Sequence, residues 1–181
     1  MKRLFLLRHA KASREEPGHD DRHRKLVERG REDAARVGRV LREEVYLPDV
    51  ILCSTSARTK ETLELILPEL GVAPAVQYRA ELYLAAPKTI LAEVRGVRED
   101  VASLMIVGHN PGLEDCAREL VREPTNRRMR KRYLVMMEKL PTCALVVIDF
   151  AVGRWSDIAA EGGELEFFVR PKDLRAENAP D

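Results

Sequence analysis

The feature that most constrains the fold of this chain is a regular alternation of short apolar runs with amphipathic segments. The apolar runs at Lys2–Leu7, Asp49–Cys53 and Ser103–Val107 have the length and composition of buried β-strands. Arg31–Glu44, after the first run, carries apolar residues at helical spacing, and Leu63–Leu70 does the same after the second. Buried strands that alternate with helices predict an α/β fold, in which helices cover both faces of a mostly parallel sheet.

The second half of the chain continues this pattern and then changes. A helical stripe at Ile90–Val97 follows Pro87, a residue type favoured in the first turn of a helix, and another helix is expected at Leu113–Val121. Three later segments have strand-like character and are expected to form a meander with an antiparallel edge: Ala144–Phe150, Trp155–Ala160 and Leu165–Val169. At about 150 residues per domain, we expect one domain over residues 1–174 and a frayed tail over residues 175–181.

The charge balance excludes a protein that coats polyanions through a global field. The chain of 181 residues has 31 Lys and Arg against 30 Asp and Glu, and only 5% of its residues are aromatic. We therefore do not expect a nucleic-acid-binding protein. The apolar run Leu4–Leu7 is shorter than a signal sequence requires, and no apolar stretch has the length of a membrane span. Three separated cysteines, Cys53, Cys116 and Cys143, are expected to be reduced core residues of a cytoplasmic protein without membrane attachment.

Chemically active side chains follow the predicted strands at the points where the strands end. Arg8 and His9 come directly after the first strand, and Arg58 lies in the first turn of the helix after the second. His109 follows the third strong strand, and Glu81 comes after a further apolar stretch. Parallel strands end at one edge of a sheet, where ligands bind in open α/β folds. Because arginine forks onto phosphoryl oxygens and histidine can accept a phosphoryl group covalently, this edge is predicted to bind and transfer a phosphoryl group.

Several short motifs occur in a fixed order along most of the chain. They are Arg8-His9-Ala10-Lys11, Asp21-x-x-Arg24-x-Leu26-x-x-x-Gly30, Ser54-x-x-x-Arg58-x-x-x-Thr62, Glu81-Leu82-Tyr83, Gly108-His109-Asn110-Pro111-Gly112, Pro141-Thr142-x-Ala144, Trp155 and Arg170-Pro171-Lys172-Asp173-Leu174. The first resembles the Arg-His-Gly signature of the histidine phosphatase superfamily, with alanine in place of the usual glycine. Together they resemble its SixA-type branch, the phosphohistidine phosphatases, from about residue 4 to residue 174.

The resemblance implies a phosphoglycerate mutase-like fold, which is a single-domain three-layer sandwich, and a set of residue roles. His9 would attack phosphorus and become phosphohistidine, and Glu81 lies where the superfamily often places its proton donor. Four residues would contact phosphoryl oxygens: Arg8, Arg24, Arg58 and His109. The family needs neither a metal nor an organic cofactor, since arginine supplies the positive charge.

The resemblance also implies partners. The branch name points to a phosphorylated histidine-containing protein of a phosphoryl relay, and the family-level expectation is a monomer. A phosphatase for a small phosphoester is the alternative among enzymes, because the same pocket would serve both substrates. A non-catalytic module that binds phosphohistidine or a polyanion is the alternative from another class.

Three sequence features have a second interpretation. His19 and His23 with the aspartates between them have the residue types of a metal cluster, but Pro17-Gly18 indicates a polar loop instead. Glu81 could equally form an ion pair with Arg79. The segment Arg122–Arg132 has six cationic residues against one carboxylate, which indicates a solvated helix face or a dock for an acidic partner.

Overall fold

The computed structural model describes residues 1–14 and 17–176, and its centre is a six-stranded sheet. The strands are β1 (Lys2–Arg8), β2 (Val50–Ser54), β3 (Ala75–Arg79), β4 (Ser103–Gly108), β5 (Leu145–Phe150) and β6 (Gly163–Val169). They lie in the order β3-β2-β4-β1-β5-β6. The four strands β1 to β4 are parallel, whereas β5 is antiparallel to β1 and β6 is antiparallel to β5. The predicted mostly parallel sheet with an antiparallel edge is confirmed.

Helices occupy the connections between the strands. They are α1 (Glu28–Glu43), α2 (Ala57–Leu70), α3 (Pro87–Arg95), α4 (Gly112–Leu120), α5 (Arg127–Glu138) and α6 (Pro171–Ala176). Pro87 stands in the first turn of α3, as predicted. Most of the basic segment lies on α5, where Met136 is the buried residue, so this segment is a largely solvated helix. Within residues 1–14 and 17–176, no helix combines the length and apolar character that crossing a membrane requires.

The sheet separates two apolar cores, as the alternation of side chains along its strands requires. In β1, Leu4 and Leu6 face one core, which α3 and α4 close together with Met136 of α5. Phe5 and Leu7 face the other core, which α1, α2 and α6 close. The predicted α/β architecture of helix layers on both faces of one sheet is therefore confirmed.

The segment after β5 corrects one sequence expectation. The prediction of a strand over Trp155–Ala160 is wrong, because Trp155–Asp157 forms a 3₁₀ turn. The Trp155 indole is fully buried in the core with Leu4, and its Nε1 donates a hydrogen bond to the Val101 carbonyl at 2.9 Å. Seating this large side chain turns the backbone away from the sheet, so the segment does not pair as a strand.

The C-terminal region is described as far as Ala176. Part of the predicted tail over residues 175–181 belongs to α6, in which Arg175 donates a hydrogen bond to Asp33 Oδ1 of α1 at 3.2 Å. Residues 177–181 lie outside the described residues. The short helix is therefore fastened to the first helix by a side-chain contact.

The strand register fixes which loops meet at the edge of the sheet. Arg8 at the end of β1 pairs with Gly108 at the end of β4, and Cys53 near the end of β2 pairs with Val107. Because β4 lies between β1 and β2, the residues that follow these three strands emerge side by side. This edge is where the candidate site is built.

Candidate active site

His9 is the first residue after β1, and the surrounding backbone holds it in place. Its N–H donates to the Gly108 carbonyl at 3.1 Å, and its own carbonyl accepts a hydrogen bond from the Cys143 N–H at 3.0 Å. The side chain's Nδ1 lies 2.7 Å from the Ala10 carbonyl. Since a carbonyl only accepts, Nδ1 carries the proton and Nε2 keeps a free lone pair.

The electrostatic surroundings keep the His9 imidazole neutral. The side chain is buried, with 8% of the residue exposed. Burial is the main cause that lowers the pKa of His9 to about 3, and the positive charges of Arg58 and Arg8 lower it further. At neutral pH, the His9 imidazole is therefore neutral, with an unprotonated Nε2.

Arg58 is positioned by the first turn of α2. Ser56 caps the helix, and Thr59 Oγ1 donates back to the Ser54 carbonyl at 2.7 Å, which closes the turn after β2. The Arg58 guanidinium is 1% exposed and donates to the backbone oxygen of Asp21 at 2.7 Å and to its Oδ2 at 2.9 Å. Its Nε–H is buried without a hydrogen-bond partner among the described residues.

His109 follows β4 and lies beside His9, with 5.3 Å between the ring centroids. Arg58 donates to His109 Nδ1 at 3.3 Å, so Nε2 carries the proton and donates to Ser54 Oγ at 2.8 Å. Burial, followed by the charge of Arg58, lowers the pKa of His109 to about 3. Both ring nitrogens are therefore committed to neighbouring side chains in this closed arrangement.

Arg8 is held by the segment that leads into β5. Its Nη1 donates a hydrogen bond to the Leu140 carbonyl at 2.9 Å, and the same carbonyl accepts a hydrogen bond from Asn110 Nδ2 at 2.9 Å. Glu114 Oε2 in turn accepts the Leu140 N–H at 2.8 Å. Burial lowers the pKa of Arg8, while the Glu114 carboxylate opposes the shift. The Arg8 Nε–H, like that of Arg58, is buried without a partner among the described residues.

Two close contacts tie these loops together. Thr62 of α2 accepts the Ala10 N–H at 2.9 Å and donates to the Arg58 carbonyl at 2.6 Å, so one hydroxyl joins the two arginine-bearing segments. At the start of α4, a Cβ placed on Gly112 would lie 1.8 Å from the Ala85 carbonyl oxygen. Only glycine allows this approach, which fixes the loop that carries His109.

Asp21 closes the site, a role that sequence reasoning missed. Its carboxylate accepts hydrogen bonds from Tyr83 Oη at 2.5 Å and Arg24 Nε at 2.7 Å, besides the one from Arg58. Burial alone would raise the pKa of Asp21, but these three donors together hold it well below its usual range. Both Asp21 and Tyr83 belong to motifs identified in the sequence, but the sequence alone assigns neither of them a role.

The Tyr83 side chain forms a second part of this cover. Its ring stands edge-on to His109, with 5.4 Å between centroids, and the Arg22 guanidinium carbon lies 4.2 Å from its centroid. The interactions around Asp21 thus place one carboxylate and one phenol over the arginines and histidines. An anion that binds Arg58 therefore competes with the Asp21 carboxylate for the guanidinium.

The structure brings together most, but not all, of the residues expected at the site. Arg8, His9, Arg58 and His109 lie within mutual electrostatic influence, and Arg24 reaches the group through Asp21. Glu81 is exposed, and its carboxylate makes no hydrogen bond or ion pair within the described part of the chain.

Two alternative interpretations of the sequence can also be compared with the structure. Arg79 pairs with Glu93, with 3.1 Å between Nε and Oε2, and not with Glu81. The region of His19 and His23 has no metal cluster, since no group of three or more His, Cys, Asp or Glu in residues 1–14 and 17–176 could hold an ion.

The two unpartnered guanidinium N–H groups indicate what the site can do. A buried donor without an acceptor costs about 1–3 kcal/mol, so their retention at Arg8 and Arg58 is consistent with a ligand that supplies acceptors. A phosphoryl group carries three such oxygens and a charge that both arginines attract. A neutral imidazole nitrogen beside these donors is suited to attack phosphorus.

Comparison with known proteins agrees with this geometry. Residues 4–83 match the model of the histidine phosphatase superfamily (branch 1). An uncharacterized protein of Mycobacterium leprae is 34% identical over 92% of this chain and 100% of its own length. A candidate phosphohistidine phosphatase SixA from Nakamurella multipartitia is 32% identical, with a TM-score of 0.77 over 94% of this chain and 96% of its own. The protein histidine phosphatase SixA solved with tungstate is 20% identical and shares the fold, with a TM-score of 0.74 over 95% and 99% of the two chains.

Proposed function

The chain belongs to the histidine phosphatase superfamily, in its SixA-type branch, and on that premise we propose that it hydrolyses phosphohistidine on a phosphoryl-relay protein. The observation that carries the proposal is the orientation of His9. Its Nδ1–H is bound to the Ala10 carbonyl, so Nε2 is an unprotonated nucleophile beside two buried guanidinium groups. Such a nitrogen can take over a phosphoryl group covalently.

The first step transfers the phosphoryl group to the enzyme. The substrate's phosphoryl oxygens displace the Asp21 carboxylate from Arg58 and accept the free Nε–H groups of Arg8 and Arg58. His9 Nε2 then forms a bond to phosphorus, while the bond from phosphorus to the substrate's histidine nitrogen breaks. That leaving nitrogen receives a proton, which the proposal assigns to the carboxyl group of Glu81.

Asp21 is less suited than Glu81 to deliver this proton. Its carboxylate is engaged by hydrogen bonds from Tyr83, Arg24 and Arg58, which hold its pKa well below the usual range. The Glu81 carboxylate accepts no hydrogen bond within the described part of the chain. Glu81 stands on the 3₁₀ turn Ala80–Leu82, next to the Tyr83 segment that covers the site. The proposal places the exposed carboxyl group of Glu81 beside the leaving nitrogen of the bound substrate.

The second step releases phosphate. A water molecule attacks the phosphorus of phosphohistidine, the bond to His9 Nε2 breaks, and the carboxylate of Glu81 takes the proton that water loses. The products are inorganic phosphate and the starting enzyme, with Glu81 again protonated. A bound phosphoryl dianion also raises the pKa of His109, which then holds phosphoryl oxygens as a charged donor, and Arg24 makes a further contact.

The proposal includes a reaction without a metal ion or an organic cofactor. Its support is the charge of Arg8 and Arg58, which fork onto phosphoryl oxygens and stabilise the charge that develops in the transfer. It also includes a monomeric enzyme in the cytoplasm that acts on a phosphorylated histidine-containing protein. The three cysteines are buried free thiols, which agrees with a reducing compartment.

Trapping the intermediate tests the proposal. Wild-type protein quenched during turnover of a phosphohistidine protein should carry an acid-labile phosphate on His9. His9→Ala should lose the label and at least about 10³-fold in kcat, whereas His23→Ala, which changes an exposed histidine, should retain both. Turnover by His9→Ala would overturn the assignment.

Comparing kcat/KM for phosphohistidine proteins and small phosphoesters identifies the substrate class, and binding without any turnover would identify a non-catalytic module.

A further inference from the structure

A cavity separate from the phosphoryl site lies at the same edge of the sheet as His9, on the side covered by α1 and α6. Its volume is about 330 Å³. The residues that line it come from four separate segments and include Lys11, Arg29, Thr142 and Lys172. We call this cavity the flank pocket. Residues 11, 141–142 and 170–172 belong to the motifs identified in the sequence, but the phosphoryl site itself does not use them.

The flank pocket is a close neighbour of the catalytic histidine. Lys11 follows His9 by two residues, so their Cα atoms are at most about 7 Å apart. On the other side, the N–H of Cys143, the residue after Thr142, donates to the carbonyls of both Arg8 and His9, at 3.1 and 3.0 Å. The backbone segments that carry the phosphoryl site and the flank pocket are therefore adjacent.

The flank pocket has an excess of positive charge. Arg175 is neutralised by Asp33, at 3.2 Å, and Arg170 by Asp173, at 2.8 Å. Three further cations line the cavity and form no ion pair in the described part of the chain: Lys11, Arg29 and Lys172. Arg29 still interacts electrostatically with Asp33, and Lys172 with Asp173. The cations that line the cavity outnumber these carboxylates, so it attracts an anion and repels a cationic group.

Several contacts hold the backbone around the flank pocket. The Lys11 carbonyl accepts the Val27 N–H at 3.0 Å, and a Cβ on Gly30 would lie 2.1 Å from that same oxygen. The buried carboxylate of Asp33 joins α1 to α6 through Arg175. The backbone that carries the cations is therefore held in place, whereas the Lys11, Arg29 and Lys172 side chains are exposed and can adjust to an anion.

We propose that the flank pocket binds a second anionic group of the substrate while the phosphoryl group is held at His9. This inference rests on the proposed function and adds a specificity determinant to it. The chemistry recognised is a carboxylate or phosphate, and it has two possible sources: acidic side chains beside the phosphohistidine of a protein, or a second phosphate on a small phosphoester. A phosphoryl substrate without such a group gains nothing from the pocket.

A charge-removing triple variant tests this inference. Lys11→Gln/Arg29→Gln/Lys172→Gln should raise KM about tenfold or more for a phosphohistidine peptide flanked by glutamates, with little change in kcat. A matched peptide with glutamines in place of those glutamates, and a plain aryl phosphate, should be turned over equally by both enzymes. This split between KM and kcat separates a binding role from damage to the catalytic groups.

The control variant removes the same charge from another surface. Arg127→Gln/Arg128→Gln/Lys131→Gln changes three exposed residues of α5 that make no ion pair within the described residues. It should leave both peptides unaffected. An equal loss in the two triple variants would show a general charge effect and overturn the inference.

Two further measurements identify the source of the anion and distinguish a failure of this inference from a failure of the proposed function. A small phosphomonoester with and without a second phosphate forms a second matched pair. If the wild-type difference in KM within one pair disappears in the flank-pocket variant, that pair identifies the source of the anion. If the wild type shows no difference in KM within either pair, the inference is overturned. Dissociation constants for all four ligands are measured by calorimetry with His9→Ala as the background. Because no turnover is needed there, absence of wild-type activity would overturn the proposed function alone.

Discussion

The Asp21 carboxylate and the Arg58 guanidinium form an ion pair at the candidate phosphoryl site, with 2.9 Å between Asp21 Oδ2 and Arg58 Nη2. Arg58 is fully enclosed in this arrangement, and its two terminal nitrogens are engaged with Asp21 and His109. An incoming phosphoryl group therefore competes with a carboxylate of the protein itself. Asp21 keeps the buried charge of Arg58 compensated until that exchange occurs.

We expect Asp21→Asn to bind inorganic phosphate or vanadate more tightly than the wild type. The variant removes the negative charge that competes for Arg58 and repels the dianion, so the inhibition constant should fall about tenfold. Competitive inhibition of aryl phosphate hydrolysis measures it. Asp20→Asn is the control, because Asp20 caps the neighbouring turn and does not contact Arg58. Weaker binding to Asp21→Asn would show that the carboxylate orients Arg58 and does not compete.

The stability of the protein should fall as the pH is lowered from 6.5 towards 3. Burial lowers the pKa of His9 and of His109 from 6.5 to about 3. In this window the unfolded chain binds protons at both imidazoles and the folded chain does not, so the free energy of unfolding decreases with decreasing pH. Urea denaturation at a series of pH values measures the slope. His9→Gln/His109→Gln should have a shallower slope, and an identical slope would contradict the assigned shifts.

We expect Gly112→Ala to destabilise the fold and to disturb His109. The added methyl would meet the Ala85 carbonyl oxygen, so α4 must shift, at a cost of more than about 2 kcal/mol in the free energy of unfolding. Chemical denaturation and phosphate affinity measure the two effects. Gly153→Ala is the matched control, because a Cβ there has no neighbour within 4 Å, and it should change stability by less than about 1 kcal/mol. Equal effects at the two glycines would refute the close approach.

Glu81→Gln should affect substrates according to their leaving groups. If Glu81 donates the proton, the single-turnover rate of enzyme phosphorylation by an alkyl phosphate should fall about 10²-fold, whereas that by an aryl phosphate with an acidic phenol should fall less than about threefold. Glu64→Gln, on an exposed position of α2, is the control. A uniform loss for both substrates, or none for either, would remove Glu81 from the proton-transfer step.

Local patterns were sufficient for the elements that carry the candidate site. Apolar runs and helical periodicity located β1, β2 and β4 and the helices that follow them. Because parallel strands share a carboxyl edge, His9, Arg58 and His109 could be assigned to one place before any contact was known. The error at Trp155–Ala160 has a related cause. The prediction of a short strand rests on apolar residues that do not alternate, whereas Trp155 is buried within a 3₁₀ turn.

The sequence by itself determined the layered α/β architecture and the chemistry gathered at the strand ends, since both follow from periodicity over neighbouring residues. The tertiary structure decided how that chemistry is held. Asp21 and Tyr83 are 62 residues apart in sequence and meet over the site. The flank pocket likewise has both Lys11 and Lys172 in its lining, although they are far apart in sequence. Such contacts depend on how loops from distant elements pack at one edge, and no local pattern of hydrophobicity or charge encodes that packing.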